Sequence, residues 1–218
     1  MTTFIKKKTE IEDAEASMTF KPGQYSKPAF SLETKNIYLI GMRGSGKTTL
    51  AKALAAALDC AFVDTDEVLV RDAGQSVDEI VSAHGWEHFR ALEEQTLAKV
   101  AGLPGKVVAT GGGIVLSAAN RDLMYKTGVS FYLAADAALL TGRILRDDNP
   151  AQRPALTGLA LHDEVAHIMS EREPLYMAGM DHMLQANRSV EELVDDVLVD
   201  LGLKAWDYSE KARIMDRY

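Results

Sequence analysis

Short apolar runs alternate with longer amphipathic stretches through the middle of the chain. The runs fall at 37–41, 61–64, 106–110, 129–133 and about 181–185, each the length of a strand. Between them the spacing predicts helices over 47–58, 66–72, 76–101 with a break near Gly85, 117–126, 135–146, 160–178 and 189–201. Strand and helix in series imply an α/β domain over 36–203, with a parallel sheet covered by helices on both faces. The two ends lack this rhythm. Residues 1–35 mix Lys6, Lys7 and Lys8 with Glu10, Glu12, Asp13 and Glu15, then Pro22, Gly23 and Pro28, and are expected to form a flexible or loosely docked arm. Residues 204–218 follow Gly202 with a short amphipathic pattern around Trp206, Tyr208 and Ile214, which suits a docked tail or a subunit contact.

Composition narrows the class. With 218 residues, 47% of them hydrophobic and 26% charged, the chain can bury the core of one domain with extensions. No stretch reaches the ~18 apolar residues of a membrane-spanning helix. A net charge of −8 argues against a nucleic-acid partner, since phosphate backbones call for a surplus of Lys and Arg. Cys60 is the one cysteine, so neither an intrachain disulfide nor a cysteine zinc site can form, and a reducing compartment fits. The arm has neither the apolar core of a secretory signal nor the acid-poor composition of a transit peptide, so a cytoplasmic location is expected.

The chemistry gathers at strand ends. Gly41-Met-Arg-Gly-Ser-Gly46-Lys47-Thr48 fits GxxxxGK[ST] between a strand and a helix, the context a phosphate-binding loop requires. Its backbone N–H groups can converge on phosphate oxygens, Lys47 supplies positive charge and Thr48 can hold Mg²⁺. Alone, Asp64-Thr65-Asp66 reads more readily as a solvated turn, but it ends the second run, where both carboxylates would face the same crevice, and that placement favours a functional pair. Gly111, Gly112 and Gly113 follow the third run and permit close backbone approach to a ligand, or a simple flexible turn. Arg90, Arg146, Arg153 and Arg172 stand in acidic surroundings, and 147–158, rich in turn formers, suits a mobile lid. His84 and His88 lie four apart without an HExxH pattern and read as surface histidines.

In order and spacing, Gly41 to Thr48, Asp64-Thr65-Asp66, Phe89-Arg90, Gly111 to Gly113, Arg153-Pro154 and Arg172 with Pro174-Leu175-Tyr176 resemble the shikimate kinases across 36–203. The resemblance implies a P-loop NTPase fold of the nucleoside-monophosphate-kinase type with five parallel strands. It also implies transfer of the ATP γ-phosphate to the 3-hydroxyl of shikimate, a step of aromatic amino acid biosynthesis. By it, Lys47, Asp66 and Arg153 would be catalytic. Asp66, Arg90, Gly112, Gly113 and Arg172 would bind shikimate. Independently of the resemblance, Glu93 stands one helical turn from Arg90 and is placed to hold its guanidinium. Gly41, Arg43, Gly44, Ser45, Gly46, Lys47, Thr48, Thr49, Arg146, Arg153 and Arg188 would bind ATP. Thr48, and Asp64 through water, would hold Mg²⁺. The partners expected are shikimate and ATP, with no nucleic acid or membrane, for a monomer whose arm or tail is the place for weak self-association. A gluconate-type kinase and a non-catalytic shikimate sensor are the alternatives. Retention of Lys47, Asp66 and Arg153 favours the enzyme over the sensor.

Overall fold

The computed structural model describes residues 30–146 and 160–204. Most of the expected arm, the expected lid with Arg153, and the tail past Lys204 lie outside the described residues. The strands β1 (Asn36–Ile40), β2 (Ala61–Asp64), β3 (Lys106–Ala109), β4 (Gly128–Ala134) and β5 (His182–Gln185) form one sheet in the order β2-β3-β1-β4-β5. Every pairing is parallel, with Ile37 opposite Val107 on one side and Val129 on the other. The connecting helices are α1 (Lys47–Ala57), α2 (Thr65–Ala73), α3 (Val77–Ala101), α4 (Ala118–Thr127), α5 (Ala137–Ile144), α6 (Leu161–Gly179) and α7 (Val190–Asp200), with a short 3-10 turn at Ile114–Leu116.

The sheet is buried on both faces because successive side chains of a strand point to opposite sides. Ile37 and Leu39 of β1 join Leu50 and Leu54 of α1 and Leu193 and Val197 of α7 in one apolar layer. Tyr38 and Ile40 join Leu97 of α3, Met124 of α4, Leu140 of α5 and Ile168 and Tyr176 of α6 in the other. Each such side chain removed from water contributes roughly 1.5–3 kcal/mol. This is why β1 reads as an unbroken apolar run, while the outer strands β2 and β5 keep exposed or half-exposed positions.

Helix ends follow local chemistry. Ser76 with Glu79, and Ser189 with Glu192, form reciprocal capping boxes at the starts of α3 and α7. Gly85, at φ 81, interrupts α3 where the sequence predicts a break. Helix α2 begins at Thr65 because the Asp64 carboxylate accepts from the Asp66 backbone N–H at 3.0 Å. Leu69, Ile80 and Phe89 make a third small cluster that fastens α2 to α3 beside the sheet. The end of the expected arm packs on the domain: Phe30 and Leu32 lie against the first apolar layer, and Gly105 N–H donates to the Lys35 carbonyl at 3.2 Å.

Candidate active site

Parallel strands put all their carboxyl ends along one edge of the sheet, and the loops leaving β1, β2 and β3 meet there. They line a cleft of about 920 Å³ that also takes in residues of α3, α5, α6 and the segment after β5.

The loop after β1 turns sharply at Gly41, Gly44 and Gly46, whose φ values of 144, 80 and 99 are left to glycine by the Cβ of other residues. Lys47 is buried at the start of α1, and its Nζ donates to the carbonyls of Gly41 and Met42, both at 2.9 Å. The ammonium is therefore held inside the loop. Thr48 Oγ1 donates to Asp64 Oδ2 at 2.9 Å, while Asp64 Oδ1 caps α2. One carboxylate thus fixes the end of β2 to the first turn of α1, and the two motifs converge as expected. Arg43, Ser45 and Thr49 also line the cleft.

The triple glycine after β3 has a different physical cause from the loop glycines. None of Gly111, Gly112 and Gly113 has a positive φ. What Gly111 and Gly113 supply is space. A Cβ on Gly111 would lie 2.5 Å from Asp66 Oδ1 and 2.8 Å from Glu93 Oε1, and one on Gly113 would overlap the Arg90 guanidinium. The close approach that the sequence predicts is made by the chain's own Asp66, Glu93 and Arg90. The segment is fixed by hydrogen bonds, with Gly111 N–H donating to Thr65 Oγ1 at 3.0 Å and the Gly112 carbonyl accepting from Arg172 Nη1 at 3.1 Å.

Arg90 ion-pairs with Glu93 and lies over the rings of Trp86 and Phe89, 5.3 and 5.2 Å from their centroids. Glu93 is 4% exposed, and burial pushes its carboxyl up to about 7 against the opposing pull of Arg90. Asp66 raises it further and Arg172 lowers it, so Asp66, Arg90, Glu93 and Arg172 form one electrostatic group around the glycine segment. Two arginines and two carboxylates at one wall suit a small acid bearing hydroxyl groups.

A family model described as shikimate kinase matches residues 43–201. The chain belongs to the shikimate kinase family. It is a phosphotransferase with shikimate kinase activity. Shikimate kinase 2 of Enterobacter sp. (strain 638) is 43% identical over 170 residues, covering 78% of this chain and 97% of that protein. The shikimate kinase of Nitratidesulfovibrio vulgaris is 41% identical over 165 residues, covering 76% and 94%. Among solved structures, the shikimate kinase of Acinetobacter baumannii in complex with shikimate superposes with a TM-score of 0.73 at 30% identity, covering 82% of this chain and all of that one. The five-stranded order and the helices on both faces are those of this family.

Within this shikimate kinase fold, the arginines are placed unevenly. Arg90, Arg172 and Arg188 line the cleft, and Arg188 is braced by Asp196 and by Glu192 at 3.4 Å. Arg146 is exposed and is not among the cleft-lining residues. Arg143, one turn earlier on α5, is: its Nη1 donates to the carbonyls of Gly44 (3.4 Å) and Ser45 (3.0 Å), and its Nη2 donates to the Ala186 carbonyl (2.8 Å). The resemblance implies Arg146, which follows the end of α5; which arginine in or just after a short helix reaches the loop is not fixed by a single sequence. Thr65 and Tyr176 are also absent from the sequence-based site, although both sit in its motifs.

Proposed function

We propose that this cleft transfers the γ-phosphoryl group of ATP to the 3-hydroxyl of shikimate, giving shikimate 3-phosphate and ADP. The observation that carries the reading is the meeting of two unlike halves. A glycine loop with buried Lys47 forms one half, and the Asp66, Arg90, Glu93 and Arg172 group around Gly111–Gly113 forms the other. Arg90 and Arg172 bind the substrate carboxylate, and Asp66 and the glycine backbone bind the ring hydroxyls. The 3-hydroxyl oxygen forms the new bond to γ-phosphorus as the bond to the β–γ bridging oxygen breaks, ADP leaves, and Asp66 takes the hydroxyl proton. Such transfer passes through a loose transition state, so positioning and charge stabilisation do most of the catalysis. Lys47 supplies positive charge beside the loop, and Arg153 is assigned to the transferring phosphate.

The adjacent Thr48 hydroxyl and Asp64 carboxylate, 2.9 Å apart, are hard oxygen donors of the kind Mg²⁺ takes, with water completing its shell. Bound there, Mg²⁺ would neutralise phosphate charge; Thr48 would hold it directly and Asp64 through water. The same reading has the chain acting as a cytoplasmic monomer.

An ADP-release assay with shikimate, with gluconate and without acceptor tests this. Release is expected only with shikimate and Mg²⁺. Lys47→Ala should lower kcat by about 10²-fold or more in a folded protein. Equal release with gluconate, or near-normal turnover in folded Lys47→Ala, would overturn the reading.

A further inference from the structure

Tyr176 is fully buried, one helical turn beyond Arg172 on α6. Its hydroxyl donates to the Gly112 carbonyl at 2.5 Å, the same oxygen that accepts from Arg172 Nη1 at 3.1 Å. Residues four apart share a helix face, so two side chains of one helix converge on one acceptor. The ring cannot swing away, because it stacks on Tyr132 of β4 with centroids 4.9 Å apart and planes 13° from parallel. The hydroxyl also lies 3.6 Å from Met42 Sδ, and the Met42 carbonyl is one of the two that hold Lys47. Gly112 itself packs on the phosphate loop, where an added Cβ would stand 3.4 Å from the Arg43 backbone nitrogen. Tyr176 therefore sits where the phosphate side and the acid-binding side of the cleft touch.

We propose that the Tyr176 hydroxyl is a positioning group for Arg172. A carbonyl oxygen has two lone pairs, and here one is taken by a rigid phenol and the other by a flexible guanidinium. The phenol fixes the oxygen, and the oxygen fixes one edge of the guanidinium, leaving its remaining N–H groups aimed at the substrate carboxylate. Without the phenol, Gly112 can shift toward the phosphate loop and Arg172 loses its reference point. Burial pushes the phenol well above its ordinary value, so it stays a donor across the neutral range. This inference rests on Arg172 binding the carboxylate of shikimate.

The test is steady-state kinetics on the full chain with Arg172→Lys, Tyr176→Phe and the double variant, with folding followed by circular dichroism. Tyr176→Phe keeps the ring and its stacking. It should raise KM for shikimate by about five- to twentyfold, with KM for ATP within about twofold and kcat within about threefold. In the Arg172→Lys background the same change should add less than about twofold, because the group it acts through is already altered. An unchanged shikimate KM in folded Tyr176→Phe, a uniform loss in all three parameters, or full multiplication of the two effects would overturn the proposal. If Tyr176→Phe does not fold, Tyr176→4-aminophenylalanine, which retains a donor, should keep a wild-type shikimate KM; a raised one in the folded protein would overturn it. A wild-type shikimate KM in Arg172→Lys would instead remove the assignment of Arg172 on which the inference rests.

Discussion

Glu93 shows how much one buried carboxyl can do in this site. It sits on α3 three residues after Arg90, so the helix itself brings the pair together. Its ordinary value is 4.5 and its value in the fold is about 7, with burial as the dominant cause. Between those two values the folded chain binds a proton that the unfolded chain does not. The stability this group adds is therefore full below about pH 4.5 and is lost as pH rises through about 7, a change of up to about 3 kcal/mol. Glu93→Gln removes the titration. Urea unfolding at pH 5 and pH 8 should show the stability of the wild type, relative to Glu93→Gln, falling as pH rises. A constant or rising difference would show that Arg90 holds the carboxyl ionised throughout.

At the scale of elements, the site is made by ties between loops from different strands. Asp64 joins β2 to α1, and Thr65 joins α2 to the segment after β3. Arg143 joins the end of α5 to the phosphate loop and to the segment after β5. The first tie is legible in the sequence, since Asp64 and Thr48 each stand at the end of a predicted element and both face the crevice. The tie through Arg143 is not, because it joins carbonyls distant along the chain whose meeting depends on how α5 is rotated against the sheet. Arg143→Ala leaves those carbonyls without their charged donor, and the phosphate loop is the part set free. KM for ATP should rise by about tenfold while KM for shikimate stays within about twofold. Kinetics in which the shikimate KM moves and the ATP KM does not would sink this account.

For the molecule as a whole, the boundary of the domain lies earlier than apolar periodicity places it. Phe30 and Leu32 fall in the stretch without periodicity, yet they cover the first apolar layer beside β1. Two isolated apolar residues cannot signal an element, although they can still be buried by one. Removing residues 1–29 should leave kcat and Tm essentially unchanged. Removing 1–35 as well takes away both contacts, at about 2 kcal/mol together, and should lower Tm by roughly 5 °C. Thermal unfolding of both truncations decides between the two boundaries. An equal loss in both would place the stabilising contacts before Phe30.

The sequence by itself determined the order of strands and helices along the chain and the phosphate loop, and it singled out Asp64, Asp66, Arg90 and Arg172 as candidates. These features are local: apolar period, helix caps, and glycines at φ values other residues avoid all act over a few residues. The order of the strands within the sheet was decided by the tertiary structure, since nothing local dictates that β1 lies between β3 and β4. Tertiary structure alone decided that Arg143 and not Arg146 lines the cleft, and that Gly111 and Gly113 make room for charged side chains rather than bend the backbone. It alone placed the Tyr176 phenol and Arg172 on one carbonyl. Each of these depends on distances between groups far apart in the chain, which packing sets and local spacing does not encode.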